Sequence, residues 1–436
     1  MRLLKAERES LRETFYSGRH ESGLEVLVNP KKGFSKTIAI LATRFGSVDN
    51  RFANGSGEVC LPDGLAHFLE HELFTKKTGD ISERFARSGA HANAGTGFTS
   101  TSFYFSCTRA LNANLSLLLE LVFKPYFSEE HIRKEQSVIR QEIRMYEDSP
   151  DWRLYTNLLE SLYHRHPIRV DIAGTEESIE KIDAHNLDHA YRTFYHPSNM
   201  ILILVGEVDP DKISKQVDRC LARLDFAAAP DIRRVPAREP KGIVRREVTE
   251  HHPVSQPKIL IGYKDPTPPI GGRELLEREV RMNMLLQLMF GGSAHLYQEF
   301  YESGLIDDSF SASYSADGGT GFTVVGGDTD SPDELRGALR SALRRHRRTG
   351  LDESAFRRVR QRLMGKFFFG FNSPESTAST LLGFWNKGSD VWDYPEVVRS
   401  TELGDLEQAL EERLQSRYSA TSQVLPDGTA NGSAPQ

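Results

Sequence analysis

The chain has 436 residues, of which 38% are hydrophobic and 27% are charged, and its formal net charge is −6. This length is typical of two or three domains, and the composition is that of a globular protein with a sizeable core. The small acidic surplus excludes the extended basic surface of a nucleic-acid-binding protein. No run reaches the ~20 apolar residues of a membrane span, and the N-terminus lacks the apolar stretch of a secretory signal.

The cysteines give no sign of a disulfide framework. Cys60, Cys107 and Cys220 are odd in number and far apart, which excludes the paired spacing of a cysteine-based zinc site as well. We therefore expect a cytoplasmic protein with reduced thiols and no membrane partner.

The first half of the chain alternates short strands with longer helices. Strands are predicted where β-branched and apolar residues run up to a turn signal, and helices where apolar residues recur at helical spacing. In chain order the pattern predicts strands in GLEVLVNP and KTIAILATRFGS, a helix at 64–74, a hairpin in GAHANAGTGFTSTSFYFSC, helices near 109–123, 129–147, 151–163 and 185–195, and a strand in NMILILVGEV.

A stretch rich in Pro and Ala, DFAAAPDIRRVPAREPKG, then breaks the pattern and indicates an interdomain linker. After it the order of elements restarts, with a strand in PKILIGYKD, a helix in RMNMLLQLMF, strands through FTVVGGD and further helices. The pattern predicts two related α+β domains, at 1–225 and 247–415, joined by a linker at 226–246. Residues 416–436 are rich in Ser, Gly and Pro and are predicted to be disordered.

The stretch GLAHFLEHELF at 64–74 places histidines and glutamates within an apolar helix, with Asp63 as the candidate N-cap. The apolar residues share one face at about 100° per residue, and this face is predicted to pack on the core: Leu65, Phe68, Leu69 and Leu73. His67, Glu70 and His71 lie on the opposite side, and the two histidines are one turn apart. Two imidazoles at this spacing can bind one metal ion, and the carboxylate between them can act as a general base. The alternative is a polar, solvated helix face.

A second helix carries carboxylates within its apolar arc. In EEHIRKEQSVIRQEIRMYEDSP, Glu135 and Glu142 are seven residues apart and lie on one line, close to the isoleucines that predict the buried face. A carboxylate on such a face needs a cation, a hydrogen-bond donor or a metal ion as its partner. One of the two could complete a His₂Glu zinc site and the other could orient a ligand. An internal salt bridge or a wet groove is the alternative.

These residues resemble a known family. HFLEH is similar to the inverted zinc motif HxxEH of the inverzincins, and together with Glu142 it resembles the M16 peptidases, in particular their YmfH-like bacterial members. GAHANAGT resembles the Gly-x-x-Asn-Ala-x-Thr strand of that family, and EQSVIRQEI resembles its Glu-x-x-Val-x-x-x-Glu-Ile helix. HPIRVDIAGTEESI and FYHPSNMILILVGEVD resemble the end of its first domain. The resemblance is strong over about 20–215 and weaker in the second half.

The resemblance implies roles for individual residues. His67, His71 and Glu142 would bind one Zn²⁺ per chain, and Glu70 would be the general base. Glu135 would lie near the site and orient one of the ligands. The implied fold has two homologous α+β domains, each an antiparallel β-sheet packed with α-helices. Such halves typically form a clam-like chamber with the two halves of a partner. The second domain has RMNMLLQLMF in place of HFLEH, so no second zinc is expected.

The resemblance also implies where the substrate binds. In the family an extended peptide adds as an extra strand to the edge formed here by Ala90, His91, Ala92, Asn93 and Ala94. Main-chain hydrogen bonds give such a site an affinity that tolerates many sequences. A turn is the alternative for Asn93, since NAG is also a turn signal.

One stretch departs from the family pattern. Many members have Phe-x-x-Leu-Arg-Glu-x-x-Gly-Leu-x-Tyr in the second domain, and its Arg and Tyr hold the substrate backbone. The matching stretch here is YQEFYESGLIDDSF, in which Tyr301 replaces the Arg and Asp307 replaces the Tyr. Because an acidic side chain cannot stabilise an oxyanion, we expect a heterodimer in which a metal-free homologue supplies the Arg/Tyr pair. A homodimer is the alternative.

The function predicted from these residues is that of a cytoplasmic zinc endopeptidase acting on short or unfolded peptides. Removal of a leader peptide from a modified natural product is a specialised form of this activity. A non-catalytic partner subunit is a second interpretation, and the intact zinc motif argues against it. A zinc hydrolase of a non-peptide amide would need the same ligands, and the peptide-binding strand favours the peptidase.

Overall fold

The computed structural model describes residues 1–8, 11, 13–54, 57–269 and 271–428. Within it the chain forms two compact units, each of which draws on separate segments of the sequence. Unit 1 comprises Met1–Ile143, Asp171–Pro236 and Phe368–Asn386, and unit 2 comprises Arg144–Val170, Ala237–Phe367 and the residues from Lys387 onward.

The secondary structure alternates strands and helices in both halves. The strands are β1 (Leu4–Arg8), β2 (Glu13–Arg19), β3 (Glu25–Pro30), β4 (Thr37–Thr43), β5 (Arg51–Asn54), β6 (Gly57–Cys60), β7 (Thr75–Lys76), β8 (Gly79–Asp80), β9 (His91–Thr96), β10 (Thr101–Cys107), β11 (Met200–Gly206), β12 (Arg233–Arg234), β13 (Glu247–His252), β14 (Lys258–Lys264), β15 (Ser311–Asp317), β16 (Thr320–Asp328) and β17 (Ser419–Pro426). The α-helices are α1 (Leu65–Phe74), α2 (Ser82–Arg87), α3 (Leu111–Phe123), α4 (Glu129–Glu147), α5 (Pro150–Leu162), α6 (Glu176–Ile179), α7 (Ala184–Phe194), α8 (Pro210–Leu221), α9 (Gly272–Phe290), α10 (His295–Glu302), α11 (Pro332–Thr349), α12 (Glu353–Phe369), α13 (Pro374–Asn386), α14 (Tyr394–Ser400) and α15 (Leu403–Arg413). Short 3-10 helices lie at Pro167–Arg169, Pro197–Asn199, Val391–Asp393 and Ser416–Tyr418.

Unit 1 is organised around a seven-stranded sheet with the order β1-β2-β3-β11-β4-β10-β9. All pairs are antiparallel except β11 with β3, so the sheet is mixed. Every residue of β4 and β11 is buried, which explains their nearly continuous apolar sequences. Helix α3 packs on β4 and β10, and α13 packs on β4 and β11, so the centre of the sheet is covered on both faces.

Unit 2 repeats this arrangement with a five-stranded sheet in the order β13-β17-β14-β16-β15. The pair β13 and β17 is parallel and the other pairs are antiparallel, the same sequence of directions as in β3-β11-β4-β10-β9. Helix α5 packs on β14 and β17 and α9 packs on β15. Gly262 permits the close approach of α5, because a Cβ there would lie 2.9 Å from side-chain atoms of Leu158 and Leu162. The prediction of two related α+β domains is confirmed, with one parallel strand pair in each sheet.

The compact units differ from the predicted domain boundaries. The predicted domains at 1–225 and 247–415 place α5 in the first and α13 in the second, whereas α5 belongs to unit 2 and α13 to unit 1. The segment 226–246, predicted to be a linker, contains strand β12, which pairs with β5. It also contains Glu239, whose carboxylate accepts hydrogen bonds from the main-chain N–H groups of residues 164–166.

The prediction of disorder over 416–436 is wrong for Ser419–Pro426. These residues form β17, which lies between β13 and β14, and Ala420 and Val424 are fully buried. Residues 429–436 lie outside the described part of the chain. None of the helices in the described part of the chain has the length and apolarity needed to cross a membrane.

Candidate active site

Helix α1 presents the histidines of the site on the side away from its buried face. It begins after Gly64, whose positive φ of 86° and close approach to the Ala173 carbonyl oxygen exclude a side chain at this position. Asp63 is not the N-cap that the sequence predicts; its carboxylate accepts a hydrogen bond from Asn50 instead. Leu65, Phe68, Leu69 and Leu73 are buried, as predicted from the helical spacing.

Helix α4 supplies the carboxylates. Its buried face consists of Ile132, Ile139 and Ile143, and its bounds agree with the predicted range 129–147. Glu135 and Glu142 lie next to this face, with side chains that are 21% and 22% exposed. Their spacing of seven residues brings both carboxylates to the histidines of α1.

The structure brings together the three residues that the resemblance implies as ligands. Nε2 of His67 lies 3.7 Å from Oε1 of Glu142, and Nε2 of His71 lies 3.7 Å from its Oε2. One ligand atom from each of the three residues lies within 4.8 Å of the others. Among the described residues, this is the group of three or more His, Cys, Asp and Glu side chains that could hold a metal ion.

The donor set fits zinc. Ligand atoms about 2.0–2.1 Å from a tetrahedral ion are roughly 3.4 Å from one another, close to the separations in this cluster. Two imidazole nitrogens and one carboxylate oxygen are a ligand combination that zinc prefers at catalytic sites, where a fourth position is left open. Nδ1 of His67 is buried and has no hydrogen-bond partner in the described structure, so hydrogen bonding does not fix the orientation of this ring.

Glu135 fixes the orientation of the second histidine. Its Oε1 lies 2.7 Å from Nδ1 of His71, which directs Nε2 of the same ring towards Glu142. In metal sites, a ligand histidine commonly donates a hydrogen bond from its other ring nitrogen to a carboxylate. This bond selects the tautomer of the histidine and raises the basicity of the ligand nitrogen.

Burial and neighbouring charges shift the pKa values of the two histidines in opposite directions. Burial, together with the charge of His71, lowers the pKa of His67 to about 4, so this imidazole is neutral near pH 7. Burial also acts to lower the pKa of His71, but the hydrogen bond and charge of Glu135 outweigh it and the pKa is raised. A metal ion binds the neutral form of both rings.

Glu70 lies beside the cluster and is 9% exposed. Burial raises the pKa of its carboxyl group, and a hydrogen bond from the Thr96 hydroxyl, 2.6 Å from Oε2, acts in the opposite direction. Sequence reasoning did not single out Thr96, although the residue is the threonine of the quoted strand motif. No sequence pattern marks Thr96, because its contact with Glu70 depends on the packing of β9 beside α1.

Glu72 is a further buried carboxyl group of α1, and the sequence predicts no role for it. It is 1% exposed, and neither carboxyl oxygen has a hydrogen-bond partner in the described structure. Burial, together with the nearby charge of Glu135, raises the pKa of Glu72 to about 7.

The predicted substrate strand lies at the edge of the unit 1 sheet. His91, Ala92, Asn93 and Ala94 belong to β9, the last strand in the sheet order, and Ala90 is the buried residue before it. The main-chain N–H of Ala94 points away from β10 and donates to Oδ1 of its neighbour Asn93, at 2.8 Å. This side of β9 is the side on which a further strand can add.

The two residues that depart from the family pattern lie in unit 2. Tyr301 is on α10, is 49% exposed and stacks on Tyr297 with ring centroids 6.0 Å apart. Asp307 follows the helix and accepts hydrogen bonds from the main chain and hydroxyl of Ser309.

Comparisons with known proteins agree with this geometry. Residues 61–176 match the model of the insulinase family, peptidase family M16, and residues 181–363 match that of the peptidase M16 inactive domain. The chain is 41% identical to the uncharacterized zinc protease YmfH of Bacillus subtilis (strain 168) over 422 residues, which covers 96% of this chain and 98% of that protein.

Solved structures show the same fold. A crystal structure of an M16-like peptidase from Alicyclobacillus acidocaldarius is 35% identical, with a TM-score of 0.93 over 97% of this chain and 100% of the other. A protease from Helicobacter pylori, 20% identical, matches with a TM-score of 0.81 over 94% and 99% of the two chains. The two domain matches and the similarity over nearly the whole length establish that the chain belongs to the M16 family of peptidases.

Proposed function

We propose that this chain is a zinc-dependent endopeptidase that cleaves short or unfolded peptides. The observation that carries the proposal is the cluster of His67, His71 and Glu142, with Glu70 beside it and an open strand edge in the same unit. The cysteines Cys60, Cys107 and Cys220 are free thiols, which suits the reducing conditions of the cytoplasm.

The ligand set would hold one zinc ion, and Glu135 would keep the ring of His71 in place. When bound, zinc supplies a positive charge that acidifies water and polarises a carbonyl group. The protein contributes the geometry, because His67 and His71 are fixed one turn apart on α1 while Glu142 reaches them from α4.

Glu70 would be the general base. Its carboxylate takes a proton from the attacking water and delivers it to the nitrogen of the leaving amine. Burial raises the pKa of Glu70, and this makes the ionised carboxylate a stronger base than an exposed glutamate. Glu70 lies between the two histidines in the sequence of α1, and in this proposal its carboxylate would lie next to the site where a scissile carbonyl binds.

The peptide would bind along β9 as an added strand. The free side of this strand offers main-chain donors and acceptors, and its exposed residues His91 and Asn93 alternate with half-buried alanines. Such pairing reads the peptide backbone and not a particular sequence. An extended or unfolded segment can bind in this way, whereas a segment already paired within a folded protein cannot.

The proposal includes a partner. Tyr301 and Asp307 stand where the family pattern has Arg and Tyr, so we propose a metal-free homologue that supplies this pair in a heterodimer. Processing of a leader peptide is one activity that such a pair could carry out.

The test is cleavage of a mixed synthetic-peptide library by the purified chain, alone and mixed with the homologue, read by mass spectrometry with and without a chelator. We expect chelator-sensitive cleavage that zinc restores and that the homologue increases. Equal rates for the chain alone and for the mixture would contradict the heterodimer. A chain that purifies without zinc and cleaves nothing in either state would instead be a non-catalytic subunit.

Substitutions separate the roles of the residues. Glu70→Gln should retain zinc and reduce kcat by roughly 100- to 10,000-fold, because the ligands remain and the base is lost. His71→Ala should lose both zinc and activity. Glu83→Gln is the matched control, since it removes an exposed carboxylate of unit 1 that pairs with Arg87 and not with a residue of the site. Near-normal turnover by Glu70→Gln would refute its assignment as the base.

A further inference from the structure

We propose that Thr96 is a positioning residue that holds the Glu70 carboxylate and links its orientation to occupation of β9 by a peptide. The inference rests on the proposed function and goes beyond it, because it assigns a role to the last residue of the substrate strand. The observation is the hydrogen bond from Oγ1 of Thr96 to Oε2 of Glu70, at 2.6 Å.

The contact is selective. Thr96 pairs across the sheet with Thr101, and the two hydroxyl oxygens are 3.3 Å apart. The Thr101 hydroxyl donates to the main-chain oxygen of Phe45, at 2.8 Å, so its proton is already used. The proton of Thr96 is directed to Glu70, and one of the two carboxylate oxygens is thereby fixed. In this proposal the other oxygen would face the reacting groups.

The same residue lies at the free edge of the sheet. Main-chain groups alternate sides along a strand, and the N–H of Ala94 points to the free side, where it meets Asn93. The main-chain groups of Thr96, two residues further on, share that side. An added peptide strand would therefore pair with the main chain of Thr96 while its side chain holds Glu70. The peptide and the base would be aligned through one residue.

The peptide must displace an internal contact to bind in this way. Oδ1 of Asn93 occupies the N–H of Ala94 in the free protein, and an incoming carbonyl oxygen would take its place. Side chains alternate between faces, so those of Ala92, Ala94 and Thr96 share one face of the sheet. Helix α1 packs on β9, and the small side chains allow Glu70 to come within hydrogen-bonding distance of the strand.

The experiment compares Thr96→Val and Thr96→Ser in the zinc-loaded enzyme. Thr96→Val keeps the shape and removes the donor, and we expect kcat to fall about 10- to 100-fold, as for the loss of one hydrogen bond to a charged group. KM and bound zinc should be unchanged, and Thr96→Ser should restore most of kcat. Ser102→Ala is the control, because it removes a hydroxyl from the paired strand on the opposite face of the sheet.

Crystal structures of the same zinc-loaded variants provide a readout that needs no activity. The Glu70 carboxylate should take more than one orientation in Thr96→Val and a single one in Thr96→Ser. Wild-type turnover by Thr96→Val, or a single unchanged orientation of Glu70 in its crystals, would overturn the positioning role. If the wild-type enzyme cleaves no peptide, the proposed function fails, while the crystal structures still decide whether Thr96 positions Glu70.

Discussion

The support that Glu135 gives to His71 can be tested as a change in zinc affinity. Glu135→Ala removes the acceptor 2.7 Å from Nδ1 of His71 and leaves all three proposed ligands in place. Both side chains are partly exposed, at 25% for the histidine and 21% for the glutamate, so solvent weakens the interaction without removing it.

The expected change in zinc Kd follows from the strength of the hydrogen bond that is lost. A hydrogen bond to a charged group contributes about 1.5–3 kcal/mol, and each 1.4 kcal/mol is about tenfold in a dissociation constant. Loss of such a support from a metal ligand typically weakens binding about 10- to 100-fold. We therefore expect the zinc Kd of Glu135→Ala to rise by about this factor. The zinc Kd of Glu135→Gln should lie between those of the wild type and Glu135→Ala, because the glutamine amide oxygen accepts the hydrogen bond without a full charge.

The assay is a competition titration against a chromogenic zinc chelator near neutral pH, with circular dichroism to verify the fold. Glu130→Gln is the matched control, because it removes an exposed carboxylate of the same helix. A wild-type Kd for Glu135→Ala would refute the argument. An equal loss for Glu130→Gln would show that the effect comes from net charge and not from the hydrogen bond.

Two further predictions concern stability. Burial alone would raise the pKa of Glu239, but Lys264 and the N–H groups of residues 164–166 outweigh it and bring the pKa to about 2. This carboxylate should stabilise the fold by about 1–2 kcal/mol above pH 4.5, because solvent screening reduces the effect of the full pKa shift. The contribution is lost as the pH falls from 4.5 through 2, so Glu239→Gln should lower the Tm near pH 7 and differ little from wild type near pH 2. Val424→Asp places a charge in the buried strand β17 and should prevent cooperative unfolding in urea, whereas Asp427→Asn at an exposed position should not. A stable Val424→Asp variant would contradict the burial of this strand.

The geometry of the site could be predicted where it depends on one helix. The spacing of His67 and His71 on α1, and of Glu135 and Glu142 on α4, follows from the helical repeat alone. The resemblance then supplied the relation between the two helices, which no periodicity contains. The four side chains lie together in the structure as that relation requires.

What could not be predicted depends on contacts between distant segments. The Thr96 hydroxyl contacts Glu70 only because the edge strand β9 packs beside α1. No sequence pattern predicts this contact for a threonine at the end of a strand. The strand Ser419–Pro426 was missed because its small polar residues resemble a disordered tail. In the fold those residues are buried between two strands, where their main chain pairs on both sides.

The two units surround their buried carboxyl groups with different side chains. In unit 2 the buried Glu279 of α9 receives both of its hydrogen bonds from Nζ of Lys387, at 2.8 Å, so a cation within the chain balances the charge. In unit 1 the carboxylates of Glu70 and Glu142 lie beside two imidazoles, and burial keeps that of His67 neutral near pH 7.

A buried charge is costly unless it is paired or bound to a metal ion. His67 is neutral near pH 7, whereas the raised pKa of His71 favours its charged form beside Glu135. A divalent cation would balance the acids of unit 1 and use the same imidazoles as ligands. The duplicated fold therefore keeps a buried acid in both units, Glu279 beside a lysine in the second and Glu70 beside the proposed zinc ligands in the first.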